Sequence, residues 1–320
     1  MIRHFLDITD LSIDELQLVL QIAERPELPQ VLHRRGVALI FEKPSNRTRH
    51  SMEMAVVQLG GHPIYTRGEE VGLDVREPVE DVTRVMSGYH AVLAARVFEH
   101  DKVRRMAAVS TVPVVNMLSD VSHPLQGLAD VLSMQQVHGS ITGKVVAFVG
   151  DWNNVSRSLS EACVMLGAHV RIGAPQGYGP SADELAQIGG LGDGSIEWAA
   201  TPQAAVRDAM CVHTDTWVSM GQEAEKAERV RLYADWSVDE ALMSLAAPDA
   251  GFYHCLPAYR GLEVSAGVID GPVSGRTGQK MYFGKPAAGK TGTTDSSAAV
   301  WFVGYTPDVV CAVCGPPPPK

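Results

Sequence analysis

The sequence lacks any apolar run long enough to cross a bilayer, which takes about 18 to 20 consecutive apolar residues. Its opening residues, MIRHFLDITDLSIDEL, are interrupted by Asp7, Asp10 and Asp14, so a signal-peptide apolar stretch is missing there too. These absences predict a cytoplasmic protein without a membrane anchor.

Basic side chains are also in deficit. The chain has 27 Lys and Arg against 37 Asp and Glu, a formal net charge of −10. Nucleic acids and acidic membranes attract a basic excess, so we expect neither as a partner. A small anionic ligand is not excluded, because it needs only a local cluster of donors.

Cysteines are few, and their number is odd. Five in 320 residues do not make a disulfide framework. Cys311 and Cys314 form one CxxC pair, whereas a zinc site needs more ligands. We interpret that pair as structural or incidental.

The remaining composition is that of an ordinary globular protein. Hydrophobic residues make up 45% and charged residues 20% of the chain, which excludes wholesale disorder. Domains average about 150 residues, so this length favours two of them.

Strands and helices alternate along most of the chain. Ser12 and Glu15 have capping-box spacing at the start of an opening helix. Buried strands are predicted at residues 37–41, 91–97 and 112–117, and a second series begins at KVVAFVGD. This pattern predicts an α/β fold: two doubly wound parallel-sheet domains joined by a crossing helix near residues 124–137. We expect domains at 1–138 and 139–273, followed by an atypical, poorly packed β-rich tail at 274–320.

Polar residues follow several of the predicted strands. The loop at residues 45–49 precedes a helix, where backbone N–H groups and the helix dipole favour an anion. Arg96 closes an apolar strand, which is an expensive place for a charge without an anionic partner. His123 and Gln126 share one helix face. Each feature alone also fits a structural role, such as a polar cap with solvated arginines, but their common place at strand ends favours a site.

The second series of strands repeats this arrangement. Asn153 and Asn154 follow one strand, Asp215 ends another, and Cys255 comes after a third. Carboxyl ends of parallel strands meet at one edge of a sheet. We therefore expect both groups of residues to face a cleft between the domains.

Five segments, in order between residues 41 and 264, resemble the ornithine carbamoyltransferase family. FEKPSNRTRHS is similar to the family's phosphate loop FEKPSTRTR, with Asn46 in place of the usual Thr. The other four are HPLQGLAD, which resembles HPxQxLAD, GDWNNVSRSL, which resembles GDxNNVxxSL, DTWVSMGQE, which resembles DxWxSMG, and HCLPAYRGLEV, which resembles the HCLP segment.

The resemblance implies transfer of a carbamoyl group from carbamoyl phosphate to L-ornithine, giving L-citrulline and phosphate. The SMG loop favours ornithine over aspartate. The residues implied to bind carbamoyl phosphate are Ser45, Asn46, Arg47, Thr48, Arg96, His123 and Gln126. Those implied to bind ornithine are Asn154, Asp215, Ser219, Met220, Cys255 and Leu256. The resemblance also implies a homotrimer, and the reaction needs neither a metal nor an organic cofactor.

Of these residues, Arg96, His123 and Cys255 are the implied catalytic groups. Arg96 and His123, with the Thr48 hydroxyl, polarise the carbonyl oxygen, where negative charge grows in the transition state. Arg47 stabilises the departing phosphate. Cys255 and Asp215 are expected to orient the ornithine amine or accept its proton.

The resemblance stops near residue 273. The family's closing helix is not recognisable after Ser274, and its arginine cannot be assigned to Arg276. GKPAAGKTGTTDSSAAVWFVGYTPD instead resembles the KTG strand of a penicillin-binding transpeptidase, but the SxxK and SxN elements of that family are absent. Residues 284–291 also fit a nucleotide-binding P-loop pattern, in a β-rich context that argues against it. A fusion or frame error explains the tail most simply.

Two functions remain open at this point. One is an active carbamoyltransferase. The alternative is an impaired remnant that binds carbamoyl phosphate without turnover, because the closing helix has been replaced.

Overall fold

The computed structural model describes residues 2–218 and 223–270, together with the backbone of two short segments at 303–305 and 310–312. The chain forms two compact units, with the described residues up to Ala129 in the first and residues 130–270 in the second. Each contains a parallel β-sheet flanked by helices. The predicted fold class, two parallel-sheet α/β domains, is confirmed. The predicted limits at residues 138 and 273 stay predictions.

The first unit is built on a four-stranded parallel sheet in the order β2-β1-β3-β4. Its elements are α1 (Ile13–Ala23), β1 (Gly36–Phe41), α2 (Asn46–Gln58), β2 (His62–Arg67), α3 (Gly68–Val71), α4 (Val79–Ser87), β3 (Val92–Arg96), α5 (His100–Val109), β4 (Val114–Leu118) and the start of α6 (Pro124–His138).

Mostly apolar runs form β1, β3 and β4 because both faces of these strands are covered. All residues of β3 and β4 are buried, whereas the edge strand β2 is largely half-exposed or exposed. In register, Phe41 pairs with Arg96 and Arg96 with Leu118. The carboxyl ends of β1, β3 and β4 therefore lie side by side.

The capping box predicted for α1 is present. Ser12 Oγ accepts from Glu15 N at 3.3 Å, and Glu15 Oε2 accepts from Ser12 N at 2.9 Å. These bonds satisfy two N–H groups that the first helical turn leaves without intrahelical acceptors. The spacing of two residues was enough to place this helix start.

The second unit is built on a five-stranded parallel sheet in the order β7-β6-β5-β8-β9. Its elements after α6 are β5 (Val145–Val149), α7 (Asn154–Met165), β6 (His169–Gly173), α8 (Ala182–Gly189), β7 (Ser195–Ala199), α9 (Pro202–Val206), β8 (Cys211–Thr214), α10 (Lys226–Leu232), α11 (Glu240–Met243), β9 (Gly251–His254) and α12 (Ala266–Ile269).

Aromatic side chains fill much of the core beside this second sheet. Trp217 stacks on Tyr233 with ring centroids 5.7 Å apart, and both side chains are buried. Phe252 of β9 and Val264 belong to the same cluster. This packing places the segment after β8 against α10.

The predicted tail lies outside the described residues except for β10 (Val303–Tyr305) and β11 (Val310–Ala312), which pair antiparallel. The segment that resembles a transpeptidase strand, the P-loop-like residues and Arg276 all lie outside the described residues, so the structure tests none of them. Among the described residues, no helix combines the length and apolar character needed to span a membrane.

Candidate active site

The N-terminus of α2 is the centre of the first group of predicted residues. Ser45 caps the helix: its Oγ accepts from Thr48 N at 3.4 Å and donates to Thr48 Oγ1 at 3.1 Å. Asn46 and Arg47 form the first turn. Arg47 Nε is buried and has no hydrogen-bond acceptor in the described part of the chain. Free amides, a helix dipole and a guanidinium donor together make this turn suited to an anion.

Arg96 reaches the same helix terminus from the neighbouring strand. Its side chain is only 3% exposed, Nε donates to Lys43 O at 3.1 Å, and Nη1 lies 3.5 Å from Thr48 Oγ1. The structure thus brings Arg96 and the predicted phosphate loop together. The carbonyl of Lys43 holds the Nε edge of the guanidinium, and the Nη1 nitrogen lies beside Thr48 of the loop.

His123 and Gln126 lie where the chain leaves β4 and enters α6. Both are buried, and Gln126 N donates to His123 O at 3.0 Å in the first helical turn. Because β4 adjoins β3, this turn follows the strand end next to that of Arg96. All seven residues predicted for carbamoyl phosphate therefore lie at or after the carboxyl ends of three adjacent strands of one sheet.

The carboxylate of Asp215 is the centre of the second group. Cys255 Sγ donates to its Oδ1 at 3.0 Å, and Thr216 N donates to the same oxygen at 2.8 Å. Its other oxygen accepts from Asn153 Nδ2 at 3.3 Å. These residues follow β8, β9 and β5, which are neighbours in the second sheet. Asp215 and Cys255 are thus brought together as the sequence indicated.

Of the two adjacent asparagines, Asn153 donates to Asp215, whereas the sequence assigned ornithine binding to Asn154. Asn153 is the N-cap of α7, and its Oδ1 accepts from Val155 N and Ser156 N at 2.9 and 3.0 Å. Its amide nitrogen is therefore turned toward Asp215. An Asn three residues before a Ser is a capping signal that could have identified it. Asn154 is the first residue of the helix.

Leu256 takes a left-handed backbone conformation with φ of 56° beside Cys255. Its N–H donates to His254 Nδ1 at 2.9 Å, and His254 Nε2 lies 3.3 Å from Glu263 Oε1. Such conformations in branched residues cluster at functional sites. Glu263 is fully buried, and its role in holding His254 was not foreseen from the sequence.

Three side chains that can each offer a ligand atom to a transition metal lie close together around Asp215. Ligand atoms of Asp215, His254 and Cys255 lie within 4.8 Å of one another. Both ring nitrogens of His254 face partners, however, and the thiol of Cys255 is directed at the Asp215 carboxylate. The cluster is organised by hydrogen bonds among its own members.

A buried network supports the segment that carries Asp215. Asp151 accepts from Tyr233 Oη at 2.7 Å and from Arg229 Nη1 at 3.0 Å, and Arg229 Nη1 also donates to Trp217 O at 3.3 Å. Burial raises the pKa of Asp151, against the opposing effects of Tyr233 and Arg229. The sequence did not indicate these partners, because α10 carries no motif. Ser219 and Met220, the remaining predicted ornithine ligands, lie outside the described residues.

Comparison with known families identifies the class of protein. Residues 3–136 match the sequence model described as "Aspartate/ornithine carbamoyltransferase, carbamoyl-P binding domain". Residues 142–282 match the one described as "Aspartate/ornithine carbamoyltransferase, Asp/Orn binding domain". The chain belongs to the aspartate/ornithine carbamoyltransferase family.

Within that family, the similar proteins include several ornithine carbamoyltransferases. The chain is 44% identical to that of Acidothermus cellulolyticus over 86% of its own length and 90% of the relative's. It is 46% identical to that of Hyperthermus butylicus, covering 85% and 90%. The solved ornithine carbamoyltransferase of Pyrococcus furiosus has a TM-score of 0.80 at 39% identity, covering 87% of this chain and 93% of that one.

Proposed function

We propose that this chain is an ornithine carbamoyltransferase, which transfers the carbamoyl group of carbamoyl phosphate to L-ornithine and releases L-citrulline and phosphate. The observation that carries the proposal is the pair of family domains over residues 3–136 and 142–282, with ornithine carbamoyltransferases as relatives at 40–46% identity. One of these relatives is named anabolic, which supports a role in arginine biosynthesis.

The first unit holds carbamoyl phosphate. Its phosphate is a dianion, and the α2 N-terminus offers amides, the dipole and the buried Nε of Arg47. Ser45, Asn46 and Gln126 add neutral donors around it. Arg47 stabilises the charge that the phosphate carries away as the leaving group.

The carbonyl carbon becomes electrophilic when donors converge on its oxygen. Arg96 and the Thr48 hydroxyl are already held 3.5 Å apart, and His123 follows the adjacent strand. Donors fixed in a buried site stabilise the oxyanion of the tetrahedral transition state without reorganising. This arrangement supports their assignment to carbonyl activation.

The second unit holds ornithine. The Asp215 carboxylate attracts a cationic amine, and it would repel the side-chain carboxylate of aspartate. With Cys255 hydrogen-bonded to it, Asp215 orients the attacking amine and accepts the proton that must leave before attack. Leu256, Asn154, Ser219 and Met220 complete the proposed ornithine set.

Citrulline formation by the purified 320-residue chain tests this function. Turnover should require both substrates, and Arg47→Ala should raise the KM for carbamoyl phosphate about a hundredfold, because it removes charge-assisted hydrogen bonds. Arg49→Ala is the matched control. That neighbouring guanidinium is bonded to Glu53 at 2.8 Å and stacks on Tyr65, so its loss should leave the KM unchanged.

The alternative, a remnant that binds without turnover, makes a different prediction. Carbamoyl phosphate would then raise the melting temperature of the folded chain while no citrulline formed. That result would contradict the proposed activity and assign the defect to the altered C-terminal segment. We further propose a cytoplasmic homotrimer that uses no metal, organic cofactor, nucleic acid or membrane as a partner.

A further inference from the structure

A buried polar cluster lies directly before His123, and none of the family motifs in the sequence includes its central residue. We call it the His100 cluster: Asp7, His100, Asn116, Ser119 and Ser122. Four of the five are at most 3% exposed, and Asp7 has a side chain only 18% exposed. Burying this many polar groups is costly unless they satisfy one another.

His100 connects two distant segments of the first unit. Its Nδ1 lies 2.8 Å from Ser119 Oγ, and its Nε2 lies 3.2 Å from Asp7 Oδ2. Either group can supply the proton of the bond between Nδ1 and the Ser119 hydroxyl, since each can donate or accept. His100 N also donates to Asp120 Oδ1 at 2.8 Å. The loop after β4 is thus bound to the start of α5 at two points.

Ser119 passes this constraint on to the residue before His123. Its Oγ accepts from Ser122 N at 3.2 Å, and its N–H donates to Ser122 O at 2.9 Å. Asn116 Nδ2 donates to the same carbonyl at 3.3 Å and to Leu6 O at 2.9 Å. Both backbone polar groups of Ser122 are therefore fixed, and the next residue is His123.

The Asp7, His100 and Ser119 side chains have the composition of a hydrolytic triad, but this geometry excludes that chemistry. Ser119 is fully buried, and its oxygen already faces donors from Asn116 and Ser122. A nucleophile needs an exposed oxygen facing the reacting carbon. We therefore interpret the cluster as a set of contacts that orders the loop at residues 119–122.

We propose that His100 is a positioning residue that holds the Ser119–Ser122 turn and thereby aims His123 at the carbonyl oxygen of carbamoyl phosphate. This inference rests on the proposed function. A displacement of about 1 Å in a catalytic group can cost about a hundredfold in rate. Loss of the His100–Ser119 bond should therefore reduce catalysis well beyond its effect on folding.

Two substitutions separate this role from simple stabilisation. An Asn side chain places its polar group near Nδ1 and can keep the Ser119 bond, whereas Gln reaches toward Asp7 instead. His100→Asn should keep kcat/KM for carbamoyl phosphate near the wild-type value. His100→Gln should lower it about tenfold to a hundredfold, at a similar loss of melting temperature. Equal kcat/KM values for the two variants would overturn the proposal.

His90→Gln is the control for replacing a buried histidine. His90 is 9% exposed and lies before β3, at the opposite end of the sheet. Its replacement should leave kcat/KM unchanged.

If the wild-type chain forms no citrulline, the proposed function fails separately. The variants are then ranked by the rise in melting temperature with carbamoyl phosphate, where His100→Asn should exceed His100→Gln and equal rises would refute the positioning role.

Discussion

Asp215→Asn is the sharpest perturbation of the proposed ornithine site. The wild-type carboxylate accepts three hydrogen bonds, from Cys255, Thr216 and Asn153. Asparagine keeps one acceptor oxygen, and its NH₂ group must face one of these donors. The 3.3 Å bond from Asn153 is the longest, so the amide should turn that way. Losing one charge-assisted bond and creating a donor–donor contact costs about 2 kcal/mol of unfolding free energy.

The catalytic effect should exceed this loss of stability. Asp215→Asn removes both the charge that attracts the amine and the group that accepts its proton. We therefore expect kcat/KM for ornithine to fall about a hundredfold, or about 2.7 kcal/mol. Citrulline formation at varied ornithine, with carbamoyl phosphate saturating, measures it. Denaturant unfolding measures the change in the free energy of unfolding.

Asp239→Ala is the matched control in the same unit. Asp239 caps α11 by accepting from Leu242 N at 2.7 Å, so its loss should cost about 1 kcal/mol of stability without changing either KM. A kcat/KM for ornithine that is unchanged in Asp215→Asn would refute the reasoning. A rise in the KM for carbamoyl phosphate as large as the fall in kcat/KM for ornithine would also refute it.

Three further predictions concern single contacts. Cys255→Ala should raise the KM for ornithine about tenfold and leave that for carbamoyl phosphate unchanged, as steady-state assays would measure. Asp151→Ala should cost about 3 kcal/mol in urea unfolding, because the buried Arg229 cation then keeps only the ion pair with Glu225, and Arg229→Met in that background should recover part of it. Glu15→Gln should cost about 1 kcal/mol at pH 7. Because Arg3 lowers the pKa of Glu15 from 4.5 to about 2, this difference should vanish as the pH falls through that range.

The local rules of the chain determined its fold class. Strands of a parallel sheet that are covered on both faces are mostly apolar, so β1, β3 and β4 are visible in the sequence. Ser12 and Glu15 marked a helix start because a capping box involves residues three apart. The proposed phosphate loop at residues 45–48 could be recognised for the same reason, since an anion-binding turn at a helix N-terminus is one continuous segment.

Contacts between distant segments were decided only by the tertiary structure. Arg229 reaches Asp151 from 78 residues away, and His100 bridges Asp7 and Ser119 across three separate segments. No spacing rule connects such residues, because the folded sheet order alone brings them together. The choice between Asn153 and Asn154 is similar: they are adjacent in the chain, but only the N-cap geometry of α7 turns one amide toward Asp215. The sequence therefore identified the strand ends at which the proposed site lies, whereas the packing of those ends determined which side chains contact one another there.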